Sequence, residues 1–213
     1  MVNKVINGLL SIIYYFLSKS LEKNKSVELS KTESSEYYFD VIEGKIKLEP
    51  NLFIDRPLVD REGLILENAF DMLSEIANIN CAKRVSFYIQ GSINEYTVKK
   101  LLALGTLGDI SDSRHEDLIY QYIDSENPDL SFIGLCSMCE MLGRKVLSEN
   151  MANKVIERLL SIILERKGYE ETVQAVIALH KVGYEEIDEI LIKAKLAYPE
   201  IGEELERYEI GKK

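Results

Sequence analysis

A four-column apolar pattern recurs three times in the second half of the chain, and it limits the fold more than any other sequence feature. Each copy ends at a glycine, namely Gly108, Gly143 or Gly183. The residues 1, 4, 7 and 10 positions before each glycine are apolar in all three copies. The columns are Leu107, Leu142 and Val182; Leu104, Cys139 and Leu179; Leu101, Cys136 and Val176; Val98, Ile133 and Val173. Residues three apart share one face of an α-helix, so each copy predicts a helix with one buried side.

The three glycines are predicted to close these helices. Glycine readily adopts the left-handed conformation that commonly follows the last helical residue. The glycines are 35 and then 40 residues apart, which is typical of stacked helical pairs. The pattern therefore predicts a stacked array, with an irregular helical bundle as the alternative fold.

The segments that carry this pattern also resemble a known family. VKK with LALGTLGD, and ENPDLSFIGLCSMCEMLG, look like the second helices of HEAT-like (armadillo-type) repeats, with Pro128 and Asp129 opening the helix after a tight turn. The resemblance covers roughly residues 82–183. Where the family often has arginine, this chain has Lys99, Gly134 and Gln174. The resemblance implies a repeat fold and a scaffold or adaptor role.

The predicted architecture is mainly α, an α-α superhelix or solenoid of about three HEAT-like helical pairs with a small N-terminal β-hairpin. Residues 61–213 would form the HEAT-like helical repeat domain. Residues 1–60 would contain an N-terminal helix, a polar linker and the short hairpin, packed on that body. The hairpin is predicted over 37–48, because Phe39 and Val41 alternate with polar neighbours. An isolated hairpin is barely stable, so it must pack on helices or pair with a second subunit.

The first 23 residues predict a helix whose apolar side faces the core. Val5, Ile6, Leu9, Ile12, Ile13, Phe16 and Leu17 recur at helical spacing. The run is shorter than the ~20 residues that a bilayer crossing requires, so no membrane span is predicted. Two alternatives stay open for this helix, namely docking on a partner or second copy, and a membrane or signal role. A homo-oligomer would form through this helix or the hairpin.

Net charge and cysteine content limit the functions that this protein can have. The formal net charge is −10, which argues against a general nucleic-acid binder because phosphate contacts need clustered lysine and arginine. Three cysteines in a chain of 213 residues do not form a disulfide framework. They indicate a reducing, cytoplasmic setting instead.

Cys136 and Cys139 form a CxxC pair in the middle of a predicted helix, in two of the buried columns. Core packing is the favoured interpretation, since cysteine behaves as a small apolar residue. A zinc site would need two further ligands, for which only Cys81, His115 and His180 offer sulfur or nitrogen. A redox pair would normally open a helix. With no glycine-rich phosphate loop and no HExxH motif, we predict no catalytic residue, metal site or cofactor.

Basic residues cluster modestly near the first and third copies, and one histidine lies beside the buried columns. These candidate binding residues are Lys99, Lys100, Arg144, Lys145, Lys154, Arg158 and His180. We predict a non-catalytic scaffold that binds an unidentified protein partner on one face of the stack. The alternative is a nucleic-acid-binding or DNA-repair-related HEAT-like protein, which requires the basic clusters to share one face.

Overall fold

The computed structural model describes residues 35–46, 58–76, 79–208 and 210, and this part of the chain is mainly α-helical without a strand. The prediction of a mainly α protein is confirmed. Short 3-10 turns occupy Ser86–Ile89, Ser113–His115 and Gln121–Asp124. The α-helices are α1 Ser35–Ile42, α2 Leu58–Ile76, α3 Ile79–Val85, α4 Val98–Ile110, α5 Glu116–Tyr120, α6 Pro128–Gly143, α7 Glu149–Glu165, α8 Tyr169–Lys181, α9 Ile187–Ala197 and α10 Ile201–Glu206.

The chain divides into two units, Met1–Ala69 and Phe70–Lys213. In the first unit, α1 occupies the first half of the segment predicted as a hairpin, and the hairpin is not confirmed. Tyr38, Val41 and Ile42 lie three and four residues apart and are buried, as on one side of a helix. The alternation of Phe39 and Val41 fits a strand equally well, because so short an apolar run satisfies both periods.

A tight turn ends α1. Gly44 has a φ of 73°, in the region that glycine accepts without strain. Lys45 then pairs with Asp40 at 3.1 Å and with Glu43 at 2.5 Å. The predicted N-terminal helix, most of the linker, and Lys47 and Leu48 of the predicted second strand lie outside the described residues.

In the second unit the helices alternate between two rows. One row contains α3, α5, α7 and α9, and the other contains α4, α6, α8 and α10. Each helix of the first row packs on the helix that follows it, as α3 does on α4, α5 on α6 and α7 on α8. Within the second row, α4 packs on α6, α6 on α8 and α8 on α10.

The helices α4, α6 and α8 run parallel. Ser137 Oγ donates a hydrogen bond to the Leu104 carbonyl at 3.0 Å, and Arg144 donates to the Asp109 carbonyl, so positions advance together along α4 and α6. Positions advance together along α6 and α8 as well, because Glu170 and Glu171 in the first turn of α8 act on Cys136, whereas Lys181 in its last turn acts on Cys139. A pocket between the two helices is lined by Cys136, Cys139 and Glu140 from α6 and by Gln174, Ile177, Ala178 and Lys181 from α8.

Contacts in the first row repeat with a similar separation. Hydrogen bonds join Tyr122 to the Ile89 carbonyl, Ser148 to Glu116, Arg158 to Asp124, and Tyr198 to the Arg166 carbonyl; their partners are 33, 32, 34 and 32 residues apart. The Ser137 and Arg144 bonds of the second row span 33 and 35 residues. In both rows, these contacts between successive helical pairs join residues 32 to 35 positions apart.

Most of the twelve apolar residues of the sequence pattern are buried, as predicted. The buried members are Leu104, Leu107, Ile133, Cys139, Leu142, Val173, Val176 and Leu179. Val98, in the first turn of α4, is 44% exposed. Leu101, Cys136 and Val182 are half-buried. The columns thus identify the inward side of each helix. The exception is the first turn of α4, where Val98 is exposed to solvent.

Polar side chains cap the N-terminal ends of three helices of the second unit, namely α4, α6 and α7. Thr97 accepts from the backbone N–H of Lys100 at 3.1 Å, Asn127 from Leu130 at 3.1 Å, and Ser148 from Met151 at 3.3 Å. Pro128 occupies the first turn of α6, where its missing N–H costs no hydrogen bond. The predicted opening of this helix is confirmed.

Only one of the three glycines closes its helix in the predicted way. Gly183 has a φ of 73° directly after α8. The prediction is wrong for Gly108, which lies inside α4, and for Gly143, which is the last residue of α6. Ser111 and Lys145 adopt the left-handed conformation instead, with φ of 57° and 58°. Gly108 is used for close packing against the neighbouring helix.

Among the helices of the described residues, none combines the length and the apolar character that a membrane crossing requires.

Candidate functional site

The contact between α4 and α6 fixes where their C-terminal ends lie. A Cβ at Gly108 would fall 2.6 Å from the Ser137 Cα, so only glycine allows this approach. The buried Ser137 hydroxyl then reaches the Leu104 carbonyl at 3.0 Å. A backbone contact of this kind sets the register of two helices more tightly than apolar side chains can, because it tolerates no change of rotamer.

Arg144 joins the ends of α4 and α6. Its guanidinium pairs with Glu140, at 2.8 Å, and donates to the Asp109 carbonyl near the end of α4. The last carbonyls of a helix lack partners within the helix, and they carry partial negative charge. Arg144 therefore stabilises two helix ends at once while its side chain stays exposed.

Three predicted binding residues lie at this end of the parallel helices. Arg144 and Lys145 follow α6, and His180 lies in the last turn of α8; all three are exposed. Lys181, which sequence reasoning did not select, is exposed beside them. A Cβ at Gly143 would lie 3.8 Å from the Lys181 side chain, which places the ends of α6 and α8 together. We call Arg144, Lys145, His180 and Lys181 the basic edge.

Lys99 and Lys100 lie elsewhere, in the first turn of α4 and therefore at the opposite end of that helix. Lys100 is only 3% exposed. Its ammonium group donates to the Ser92 carbonyl at 2.9 Å and lies 4.0 Å from a Glu95 carboxylate oxygen. Lys100 thus holds the loop before α4, and Lys99 is half-buried.

Lys154 and Arg158 lie on α7, in the other row. Lys154 is exposed, and Arg158 pairs with Asp124 at 2.5 Å. That ion pair links α7 to the 3-10 turn of the preceding pair. The structure therefore separates the seven predicted binding residues into three places and gathers only Arg144, Lys145 and His180.

His115 belongs to a cluster at the start of α5. Its Nδ1 lies 3.5 Å from an Asp112 oxygen, and Arg114 pairs with the same carboxylate at 2.5 Å. The Arg114 hydrogen bonds lower the pKa of Asp112. Burial lowers the pKa of His115, and the nearby Asp112 charge opposes that effect. The cluster orders the turn between α4 and α5.

The CxxC pair lines a pocket of about 50 Å³ between α6 and α8. Burial raises the pKa of Cys139 to about 12, and burial together with the neighbouring Cys139 raises that of Cys136 well above its usual range. Metal binding and redox chemistry both require the thiolate. Within the described part of the chain, no three His, Cys, Asp or Glu side chains are grouped as metal ligands would be. In this environment both thiols remain protonated.

Both thiols are expected to resist alkylation in the folded protein. At about pH 8, iodoacetamide should modify the peptide that contains Cys136 and Cys139 more than about a hundredfold more slowly than in urea, since the thiolate is the reactive form. Timed labelling followed by mass spectrometry measures both rates. A Lys154→Cys variant supplies an exposed thiol that should label first. Equal rates for the native and unfolded CxxC peptide would contradict the assigned environment.

Comparison of the chain with protein-family models, with curated proteins and with solved structures finds no match.

Proposed function

We propose that this chain is a non-catalytic binding scaffold, built as a short α-α solenoid of HEAT-like helical pairs, and that it binds an acidic segment of a protein partner along the basic edge. The observation that carries the proposal is that the parallel helices α6 and α8 end side by side with exposed Arg144, Lys145 and Lys181. We place this scaffold in the cytoplasm, a setting supported by Cys136 and Cys139 being thiols.

The repeated separation of contacts supports the solenoid. In stacked repeats each unit touches mainly its neighbours, so contacts between units span about one repeat length. Hydrogen bonds in both rows span 32 to 35 residues. The parallel packing of α4, α6 and α8 agrees with this arrangement. Such stacks offer extended surfaces for binding, made from side chains of successive units.

Electrostatics supports an acidic partner. The whole chain has a formal net charge of −10, so most of its surface repels an acidic polypeptide. A local group of cations then favours one orientation of the partner and penalises the others. Because the helix ends are anchored through Gly108 and Ser137, the cations of the basic edge are presented from fixed backbone positions. Pre-organisation of this kind lowers the cost of binding.

Nucleic acid is the second candidate, because phosphates would also bind Arg144, Lys145 and Lys181. The two candidates differ in salt dependence. A nucleic acid that contacts several cations loses affinity steeply as salt rises, through release of counterions. Lys154 and Arg158 lie on α7 and add nothing to the basic edge. The structure thus offers phosphates a smaller cationic surface than the seven predicted residues would form together.

A fluorescence anisotropy titration tests the function. The probes are a labelled oligoglutamate peptide, short duplex DNA and single-stranded DNA, each at about 50 and about 200 mM salt. We expect the peptide to bind, and the double variant Lys145→Asn, Lys181→Gln to bind it about tenfold more weakly. Asparagine suits position 145 because it tolerates the left-handed backbone.

A matched control removes the same charge from another surface. Lys83→Gln with Lys154→Gln alters two exposed lysines on α3 and α7 and should leave peptide affinity within about twofold. If both double variants lose the same peptide affinity, the binding depends on the net charge of the protein and not on the basic edge. DNA affinity that exceeds peptide affinity and falls steeply with salt would favour the nucleic-acid alternative.

A further inference from the structure

The groove between α6 and α8 has opposite charges at its two ends. Glu170 and Glu171 lie in the first turn of α8, and Lys181 lies in its last turn. Gln174 and Ala178 line the pocket between the two helices. Glu170 lies four residues before this pair and Lys181 three residues after it, so all four side chains follow one side of α8. We call Glu170, Gln174, Ala178 and Lys181 of α8, with Cys136 and Cys139 of α6, the α6–α8 groove.

The two thiols of the groove lie in different electrostatic environments. Burial raises the pKa of both thiols most. The carboxylates of Glu171 and Glu170 raise the pKa of Cys136 further. The Lys181 ammonium group instead lowers the pKa of Cys139. The charges at the two ends of α8 therefore act within the groove, where a bound ligand would meet them.

Each end of the groove offers its charge to a ligand. Within the described part of the chain, no lysine, arginine or histidine forms an ion pair with Glu170. Burial and the neighbouring Glu171 raise the pKa of the Glu170 carboxyl group. Both effects disfavour the charged carboxylate, and a cation from a ligand would relieve them. At the positive end Glu140 is already paired with Arg144, at 2.8 Å, whereas Lys181 stays exposed.

The length of the groove fits an extended peptide. From Glu170 to Lys181 the helix rises about 16 Å, which an extended chain covers in about five residues. The pocket of about 50 Å³ between these ends has room for a small uncharged side chain. We propose that the α6–α8 groove binds an extended segment of the acidic partner in which a basic residue lies about five positions from the acidic residue at the basic edge. This inference rests on the proposed function, because the acidic residue occupies the basic edge.

The groove selects the spacing of charges in its ligand and not only the net charge. A segment that is acidic throughout would bring a carboxylate beside Glu170, and a segment that is basic throughout would bring a cation beside Lys181. Like charges at either end are destabilising. A segment with one sign at each end meets an opposite charge at both.

A fluorescence anisotropy titration of the full chain with two labelled peptides tests the inference. The first peptide has three consecutive glutamates and a lysine five positions beyond the nearest of them, with uncharged residues between. In the second peptide, glutamine replaces that lysine. We expect the parent chain to bind the lysine peptide about threefold more tightly, the size of effect that one exposed ion pair gives. The preference should disappear in Glu170→Gln, which keeps the shape of the side chain and removes its charge.

Glu157→Gln is the matched control. It removes the charge of an exposed glutamate on α7, in the other row, and should keep the threefold preference. A third peptide, with the lysine directly after the glutamates, should bind no more tightly than the glutamine peptide, because its lysine lies too far from Glu170. Circular dichroism verifies that both variants fold.

The inference and the proposed function fail separately in this experiment. Equal affinity of the parent chain for the lysine and glutamine peptides, or a preference that survives Glu170→Gln, would overturn the inference. If both peptides still bind and the double variant Lys145→Asn, Lys181→Gln weakens both, the basic edge keeps its proposed role. If neither peptide binds to the parent chain, the inference and the proposed function are both wrong.

Discussion

Substituting Gly108 by alanine is expected to lower the free energy of unfolding by about 3 kcal/mol. The new Cβ would lie 2.6 Å from the Ser137 Cα and equally close to its Cβ. The Cα belongs to the backbone of α6, so no rotamer change relieves the clash and the two helices must separate. Alanine is the better helix former by up to about 1 kcal/mol, and the expected loss is the net result after this gain. Urea denaturation measures it.

Gly143→Ala is the matched control for this prediction. Gly143 is also helical and lies in the same pattern, yet a Cβ there would meet only the flexible Lys181 side chain at 3.8 Å. We expect this variant to be about 0.5 kcal/mol more stable than the parent. If both alanines stabilise the protein, the close approach of α4 and α6 at Gly108 is wrong.

Lys100→Glu is expected to destabilise the protein by a similar amount, about 3 kcal/mol. The Lys100 ammonium group is buried against the Ser92 carbonyl. A carboxylate in its place would lose that hydrogen bond, face the carbonyl oxygen, and come close to the negatively charged Glu95. Thermal unfolding followed by circular dichroism checks the loss.

Two further variants separate burial from charge. Lys154→Glu makes the same change on an exposed site of α7 and should alter stability by less than about 0.5 kcal/mol. Lys100→Met keeps the aliphatic packing but leaves the Ser92 carbonyl without its donor, so about 1 kcal/mol should be lost. Equal tolerance of glutamate at positions 100 and 154 would show that Lys100 is a surface residue.

The inward sides of α4, α6 and α8 were predictable from sequence because a buried face leaves a three-residue spacing of apolar residues. The C-terminal ends of α4 and α6 were not, since Ser111 and Lys145 adopt left-handed backbone that their residue types do not signal. Gly108 was misread for a related reason. A glycine required for close approach and a glycine required for positive φ look alike in one sequence.

The α1 helix shows a second limit of sequence reasoning. Over eight residues, buried Tyr38, Phe39, Val41 and Ile42 satisfy a helical spacing, and part of the set also alternates as a strand would. In so short a segment, the spacing of apolar residues does not distinguish a helix from a strand. Packing with the rest of the protein then selects the conformation.

The candidate site was only partly visible in the sequence. Arg144 and Lys145 were selected as basic residues near the repeats and His180 as a histidine beside the buried columns, and all three lie at the same end of α6 and α8. Lys181 was missed although it directly follows His180 in the last turn of α8, where a cation suits the helix end. The sequence did not distinguish Lys100 from a surface lysine. Its burial depends on the loop at Ser92, whose position is set by contacts that a local sequence pattern does not predict.

The similar sequence separation of the contacts between successive helical pairs affects how the protein can be shortened or lengthened. The hydrogen bonds across the connection between α6 and α7 join residues only 32 and 34 positions apart, so a break there would separate neighbouring helical pairs. In the proposed solenoid, removal of one full period should leave the remaining surfaces able to pack again, whereas removal of half a period would set unlike helices against each other. Insertions of whole periods are the corresponding route to a longer protein.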